Sequence, residues 1–267
     1  MPMTAVLPEL ATSVLGSDVR AALGSVVDPE LDEPITDLGF VRSISIDGDR
    51  VEVHLRLPTS FCAPNFAYLM ASDALDAVRA VPGVATAVVE LDDHHDSDLI
   101  NRGLAAAAGY RGTFGHEAED SLDELRATFH RKAHTAAMER AVTALLRSDR
   151  SLGEDDVHRL VLADLPAGTP TTESLLRRRA AVGLPLDGSA PVLVDAHGGR
   201  PDPATAAFFL RKARSVRISI DGNAHFCRGL LRTRYPGAEH DQVVRADDET
   251  AVRPLLPLLT TAKGIPS

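Results

Sequence analysis

Two periods of hydrophobic and polar residues alternate along the first hundred positions. Val51, Val53, Leu55 and Leu57 interleave with Glu52, His54 and Arg56, the two-residue repeat of a half-buried strand. From Phe66 onward the repeat lengthens, and Leu69, Met70, Ala74, Ala77, Val78 and Val81 fall on one helical stripe. Pro64 suits the first turn of that helix, where a missing N–H costs nothing. Upstream, Ser17 is placed to cap a short helix burying Val19, Ala22, Leu23, Val26 and Val27, which Asp28-Pro29 ends. Val41 to Ile46 reads as a strand, and the turn Asp47-Gly48-Asp49 makes it a hairpin partner of the Val51 strand. A helix from about Asn65 to Val81 stops at Pro82-Gly83, and Val84 to Leu91 gives a third strand. The order α-β-β-α-β predicts a small α+β layer with helices on one face of the sheet.

The second half reads differently. Leu122, Leu125, Phe129, Ala133, Ala136, Ala137, Val142, Leu145 and Leu146 predict a helix from Ser121 to about Arg147. Asp155 to Leu162, Thr172 to Val182 and Pro203 to Arg214 read as further helices, and Pro191 to Asp195 and Val216 to Ile220 as two short strands. The expected organisation is a tail over 1–16, the α+β module over 17–102, a linker over 103–120, a mostly helical domain over 121–236 and a tail over 237–267.

Charge and composition narrow the function. With 28 basic against 38 acidic residues the formal charge is −10, which disfavours nucleic acid or an anionic membrane as partner. Tryptophan is absent, leaving little for base stacking, and no run approaches a membrane span. Two well-separated cysteines and a start without a signal-like pattern lead to the expectation of a cytoplasmic protein.

The candidate chemistry gathers at Cys62, where strand hands over to helix. A thiol just ahead of a helix N-terminus is placed near free N–H groups and the positive end of the dipole, which favour the thiolate. Cys227 stands in a matching setting, after the predicted strand Val216–Ile220 and the turn Asp221-Gly222-Asn223, with His225 two residues away. A pairing of Cys62 with Cys227, across the domains or between protomers, would present two thiolates to a cluster; otherwise Cys227 is a small buried hydrophobe. The patch Asp92-Asp93-His94-His95-Asp96-Ser97-Asp98 is either a site for a hard or borderline metal or a solvated loop. His130 and His134 share a helix face at chelating spacing, but Arg131 and Lys132 beside them discourage a cation.

Asp28-Pro29-Glu30-Leu31, Ile35, Asp37-Leu38-Gly39-Phe40-Val41, the hairpin, and the strand end from Thr59 through Cys62 to Pro64 resemble the small iron–sulfur assembly domain of SufT-like and PaaD-like factors. One departure is Ala63, which stands between the cysteine and the proline. The resemblance implies a non-catalytic maturation factor, with Cys62 contacting metal or sulfide and Asp28, Glu30, Asp37 and Thr59 shaping the adjoining loop. It implies a labile iron–sulfur cluster or iron as cargo, and as partners a client metalloprotein or other assembly factors. Gly112 to Gly115, Leu122 to Arg126 and Asn223 to Leu230 are similar to larger actinobacterial proteins encoded with multicomponent diiron monooxygenases, implying an oxygenase or reductase subunit as client. Two cysteines cannot close a four-thiolate site, so a cluster would need histidine or carboxylate ligands, a homodimer, or the client's own cysteines. The competing classes are a metal-free adaptor or chaperone for an oxygenase subunit, and an enzyme using Cys62 as nucleophile.

Overall fold

The computed structural model describes residues 6–115, 122–195 and 197–243, with side chains from Val14 onward. Helix α1 runs Val6–Leu23, starting well before Ser17, and buries Val19 and Leu23 completely. The carboxylate-rich segment after it folds into a miniature antiparallel pair, β1 (Val27–Asp28) with β2 (Glu33–Pro34). Strands β3 (Val41–Asp47) and β4 (Arg50–Arg56) form the expected hairpin, with a bulge between Val41 and Ser43. Helix α2 (Pro64–Arg79) then crosses over to β5 (Thr86–Asp92), which lies parallel to β4. The sheet order is therefore β3-β4-β5, with β4 central.

The alternation in β4 does what the sequence requires: Val51, Val53 and Leu55 are buried, while Glu52 and His54 remain partly open on the other face. The buried row packs with α1, α2 and the inward residues Val89 and Leu91 of β5 into one core. Each fully buried aliphatic side chain there stabilises the fold by about 1.5–3 kcal/mol relative to exposure. Helices α3 (Ser97–Ala105) and α4 (Gly109–Phe114) follow. They occupy part of the segment the sequence marks as linker; residues 116–120 of it lie outside the described residues.

The other half is built on α5 (Leu122–Ser148), α6 (Pro170–Ala181) and α7 (Pro203–Arg234), joined by short 3-10 turns at Glu154–Arg159 and Leu162–Asp164. The molecule is thus α+β, a small sheet module followed by a mostly helical portion. The two short strands predicted there do not form. Pro191 makes only an isolated bridge with Val161, and Val216–Ile220 lies inside α7, as does the presumed turn Asp221-Gly222-Asn223. Tertiary pairing overrides the local strand signal: Glu139 of α5, fully buried, accepts from Arg214 Nε at 3.1 Å and from Arg217, while Arg140 pairs with Asp221. These contacts hold α7 helical along α5. Gly222 lies on an open side, where an added Cβ would meet nothing, so it neither bends nor ends the helix.

Helix α7 belongs to both cores. Ala206, Leu210 and Ala213 pack with α5 and α6, whereas Ala224 and Leu231 join the core of the sheet module. Among the described residues, no helix is long and apolar enough to cross a membrane.

Candidate functional site

Cys62 sits in the loop that links β4 to α2. Ala63, extended at φ −55° and ψ 129°, is the N-cap, and Pro64 occupies the first turn. The inserted alanine therefore leaves the cysteine one residue outside the cap. The expected contact with free helix N–H groups does not form among the described residues: Pro64 has none, and the Phe66 N–H is taken by Ala63 O and Asn65 Oδ1. The sulfur instead lies 3.4 Å from Thr59 Oγ1 and stays partly exposed at the edge of the core.

Three groups hold this loop. His94, buried, donates from Nε2 to Cys62 O at 2.8 Å, and its Nδ1 accepts the Asp96 N–H at 3.1 Å, which fixes the tautomer. The His95 N–H donates to Ser60 O at 2.9 Å. Arg234, at the end of α7, donates to Leu57 O at 3.1 Å, to Ser60 Oγ at 2.9 Å and to Asp93 O. The Asp92–Asp96 patch is thus a brace for the cysteine loop, and His94 is spent as a hydrogen-bonding post.

Asp28 turns its carboxylate inward, where Oδ1 accepts the N–H groups of Glu30 at 2.9 Å and Leu31 at 2.8 Å. Burial raises its pKa to about 7, against the lowering effect of those two donors; Glu30 and Glu33 add to the rise. Glu30 Oε1 accepts from Asn223 Nδ2 of α7 at 3.3 Å. Asp37 is half-buried, accepts from its neighbour Thr36 through Oδ1 at 3.1 Å, and offers its carbonyl to the Val243 N–H at 2.8 Å. Gly39 has φ +77°, and a Cβ there would come within 3.0 Å of Gln242 and 3.3 Å of Leu231, so the glycine admits α7 and the segment after it.

Helix α7 brings Cys227 to this place, although the local setting read from sequence is wrong. Cys227 lies in the last third of the helix, not near its start. Burial pushes its thiol up to about 12, and the charges of Asp28, Cys62 and Glu30 act in the same direction, which puts all four groups in one neighbourhood. His225 is not brought there. It is exposed and two positions from Cys227, a rotation of about 200° around a helix. His130 and His134 also part company, the first exposed and the second buried, in the helical half. Among the described residues, no group of three or more His, Cys, Asp or Glu is arranged to hold a metal ion.

Several residues that build the site carry no sequence signal. Glu33, buried, accepts from Arg228 Nη1 of α7 at 3.0 Å. Arg56, covered, donates to Gly39 O at 3.0 Å and pairs with Asp241 at 2.6 Å, and Tyr235 donates to Asp93 Oδ2 at 3.0 Å. Residues 238–243 pack onto the motif loop, while 244–267 of the expected tail lie outside the described residues. Beside the two cysteines stand Phe61, 82% exposed, and Phe226, 65% exposed.

Comparison with known proteins agrees with this geometry. Residues 17–90 match the family model described as "Iron-sulfur cluster assembly protein". Iron–sulfur cluster carrier proteins of Mycobacterium leprae and Mycobacterium tuberculosis are 39% identical over 79 residues, 29% of this chain; the match spans only 20% of their own length. The uncharacterized protein MJ1129 of Methanocaldococcus jannaschii is 32% identical over 92 residues, 34% of this chain and 95% of that protein. No solved structure matches. With a near-complete small relative covered and the motif loop, hairpin and Cys62 turn in place, the chain belongs to the iron–sulfur cluster assembly protein family.

Proposed function

We propose that this protein assembles or carries an iron–sulfur cluster, or iron, on Cys62 and Cys227 and hands it to a client metalloprotein. The single observation that carries the reading is that α7 packs Cys227 on the same core as the Cys62 loop, within electrostatic reach of Cys62, Asp28 and Glu30. Soft sulfur donors favour iron–sulfur cargo over magnesium or calcium. Two sulfurs do not complete a cluster's ligand set, so the remaining ligands come from outside, from a client or a second copy. Incomplete ligation suits release better than storage. The exposed rings of Phe61 and Phe226 beside the thiols provide the apolar contact a transient client needs. The similarity of 112–115, 122–126 and 223–230 to proteins encoded with diiron monooxygenases supports an oxygenase or its reductase as that client.

Anaerobic reconstitution with iron and sulfide tests this. Wild type takes up both and shows charge-transfer absorption; Cys62→Ala, folded by circular dichroism, loses most of it, and Cys227→Ser loses a large part. A wild type that stays metal-free, or a Cys62→Ala variant that loads normally, refutes the reading. Normal loading of Cys227→Ser refutes the shared site.

A further inference from the structure

Away from the cysteines, α5, the end of α6, the turn carrying Asp195 and His197, and α7 enclose a cavity of about 610 Å³. That is the size of a small-molecule site. Its polar lining is basic in a chain of net charge −10: Arg131 and Lys132, with His130, His134 and His197. Among the described lining residues Asp195 is the only carboxylate, and it is already engaged, accepting the N–H groups of His197 at 2.8 Å and Gly199 at 2.9 Å. A pocket walled by one sign of charge concentrates counter-ions of the other.

Unmet hydrogen-bonding capacity lies at His134 in the cavity lining and at Arg179, which is outside the lining but acts electrostatically on His134. His134 is 5% exposed and its Nε2 has no partner. Arg179 is wholly buried; Nε and Nη1 donate to the carbonyls of Pro185 and Pro191, each at 3.0 Å, while Nη2 has no partner. Among the described residues Arg179 makes no ion pair with a carboxylate. Burial, helped by the nearby charges of Arg179 and Arg178, holds the pKa of His134 down to about 4, so the ring is neutral near pH 7 and offers a hydrogen bond without charge. Orphaned buried polar atoms are rare enough in folded proteins to require an explanation. The opposite wall is apolar, from Val182, Leu184 and Val216.

We propose that this cavity binds a small organic anion, its charged head among Arg131, Lys132 and His197 above His134, and its apolar body against Val182, Leu184 and Val216. A metal cation fits poorly, because two full positive charges, Arg131 and Lys132, line the space. An inorganic anion alone would leave the apolar wall and most of the volume without a partner.

The test uses the full chain with 1-anilinonaphthalene-8-sulfonate, an anionic apolar fluorophore, as reporter. Expected are saturable binding at one site per chain, displacement by octanoate at about one-tenth the concentration needed for 1-octanol, and no displacement by inorganic phosphate in that range. The exposed-residue variant Arg131→Glu weakens octanoate by about tenfold with unchanged circular dichroism, as loss and reversal of one close charge implies. The His134 ring nitrogens, followed by NMR, shift on adding octanoate to wild type. Equal displacement by octanol, displacement by phosphate as strong as by octanoate, no saturable binding, or an unmoved Arg131→Glu each overturns the proposal. So does loss of dye binding in Phe61→Ser or Phe226→Ser, which would put the dye on the exposed rings.

Discussion

Replacing Leu231 with alanine asks whether α7 is part of the sheet module's core or merely leans on it. Leu231 is fully buried, and its Cδ2 is 3.3 Å from the point where Gly39 would carry a Cβ. Truncation there removes buried methyl groups and leaves a cavity that Gly39 cannot fill, at a cost of about 3–5 kcal/mol. Helix propensity pulls the other way, because alanine is the better helix former by a few tenths of a kcal/mol. The sign therefore separates the two cases: a packed end is strongly destabilised, and a loose end is unchanged or slightly favoured. With a urea slope of about 2 kcal/mol per molar, the midpoint should fall by about 1.5–2.5 M. The measurement is urea unfolding followed by circular dichroism and, in parallel, by labelling of Cys227, so that the module's own transition is seen where the two halves unfold separately. A midpoint that stays in place or rises refutes the shared core, and with it the account of how Cys227 comes to pack on the sheet module.

Two further outcomes follow from the titrating groups. At pH 8 a thiol pushed up to about 12 has about one molecule in 10⁴ as thiolate, against about one in ten at the ordinary 9.0; after allowing for the greater nucleophilicity of a more basic sulfur, iodoacetamide should modify Cys227 about 30–60-fold more slowly in the folded chain than in urea. Equal rates, read by peptide mass spectrometry, would show Cys227 unprotected. His134 titrates near 6.5 when unfolded but only near 4 when folded, so the unfolded chain takes up the proton first as pH falls. Its contribution to stability is complete above pH 6.5 and is lost between 6.5 and 4, up to about 3 kcal/mol. His134→Gln should flatten that part of the stability-versus-pH curve, and an unchanged slope in urea melts from pH 7 to 4.5 refutes the assignment.

The hairpin, α2 and β5 were legible because one face of each is buried against a neighbour close in sequence, so the hydrophobic period records the structure directly. The motif loop was legible as a set of residue types, though not as a folded pair of two-residue strands. Helix α7 was not legible. Val216, Ile218 and Ile220 alternate with Arg217 and Ser219 like a strand, yet Ile218 is 56% exposed and only Ile220 is buried. What decides the conformation is a buried Glu139 some eighty positions upstream, and a single sequence carries no mark of such a partner. The sequence ground for linking Cys227 with Cys62, a repeated strand–turn–helix setting, does not hold; Cys227 packs on the same core as Cys62 because one long helix carries it there. His94 was unreadable for a related reason, since a histidine among aspartates looks solvated until the backbone folds it under the cysteine loop.

A continuous helix of 32 residues is about 48 Å long and advances about 100° with each residue. It therefore acts as a keyed shaft, with one set of teeth between Ala206 and Ala213 and another from Ala224 to Leu231. The angular phase between the two sets is fixed by the ten residues separating Ala213 from Ala224. Dropping any one of them would leave each end able to seat on its own, but never both, and would swing Cys227 about a quarter-turn away from the sheet module.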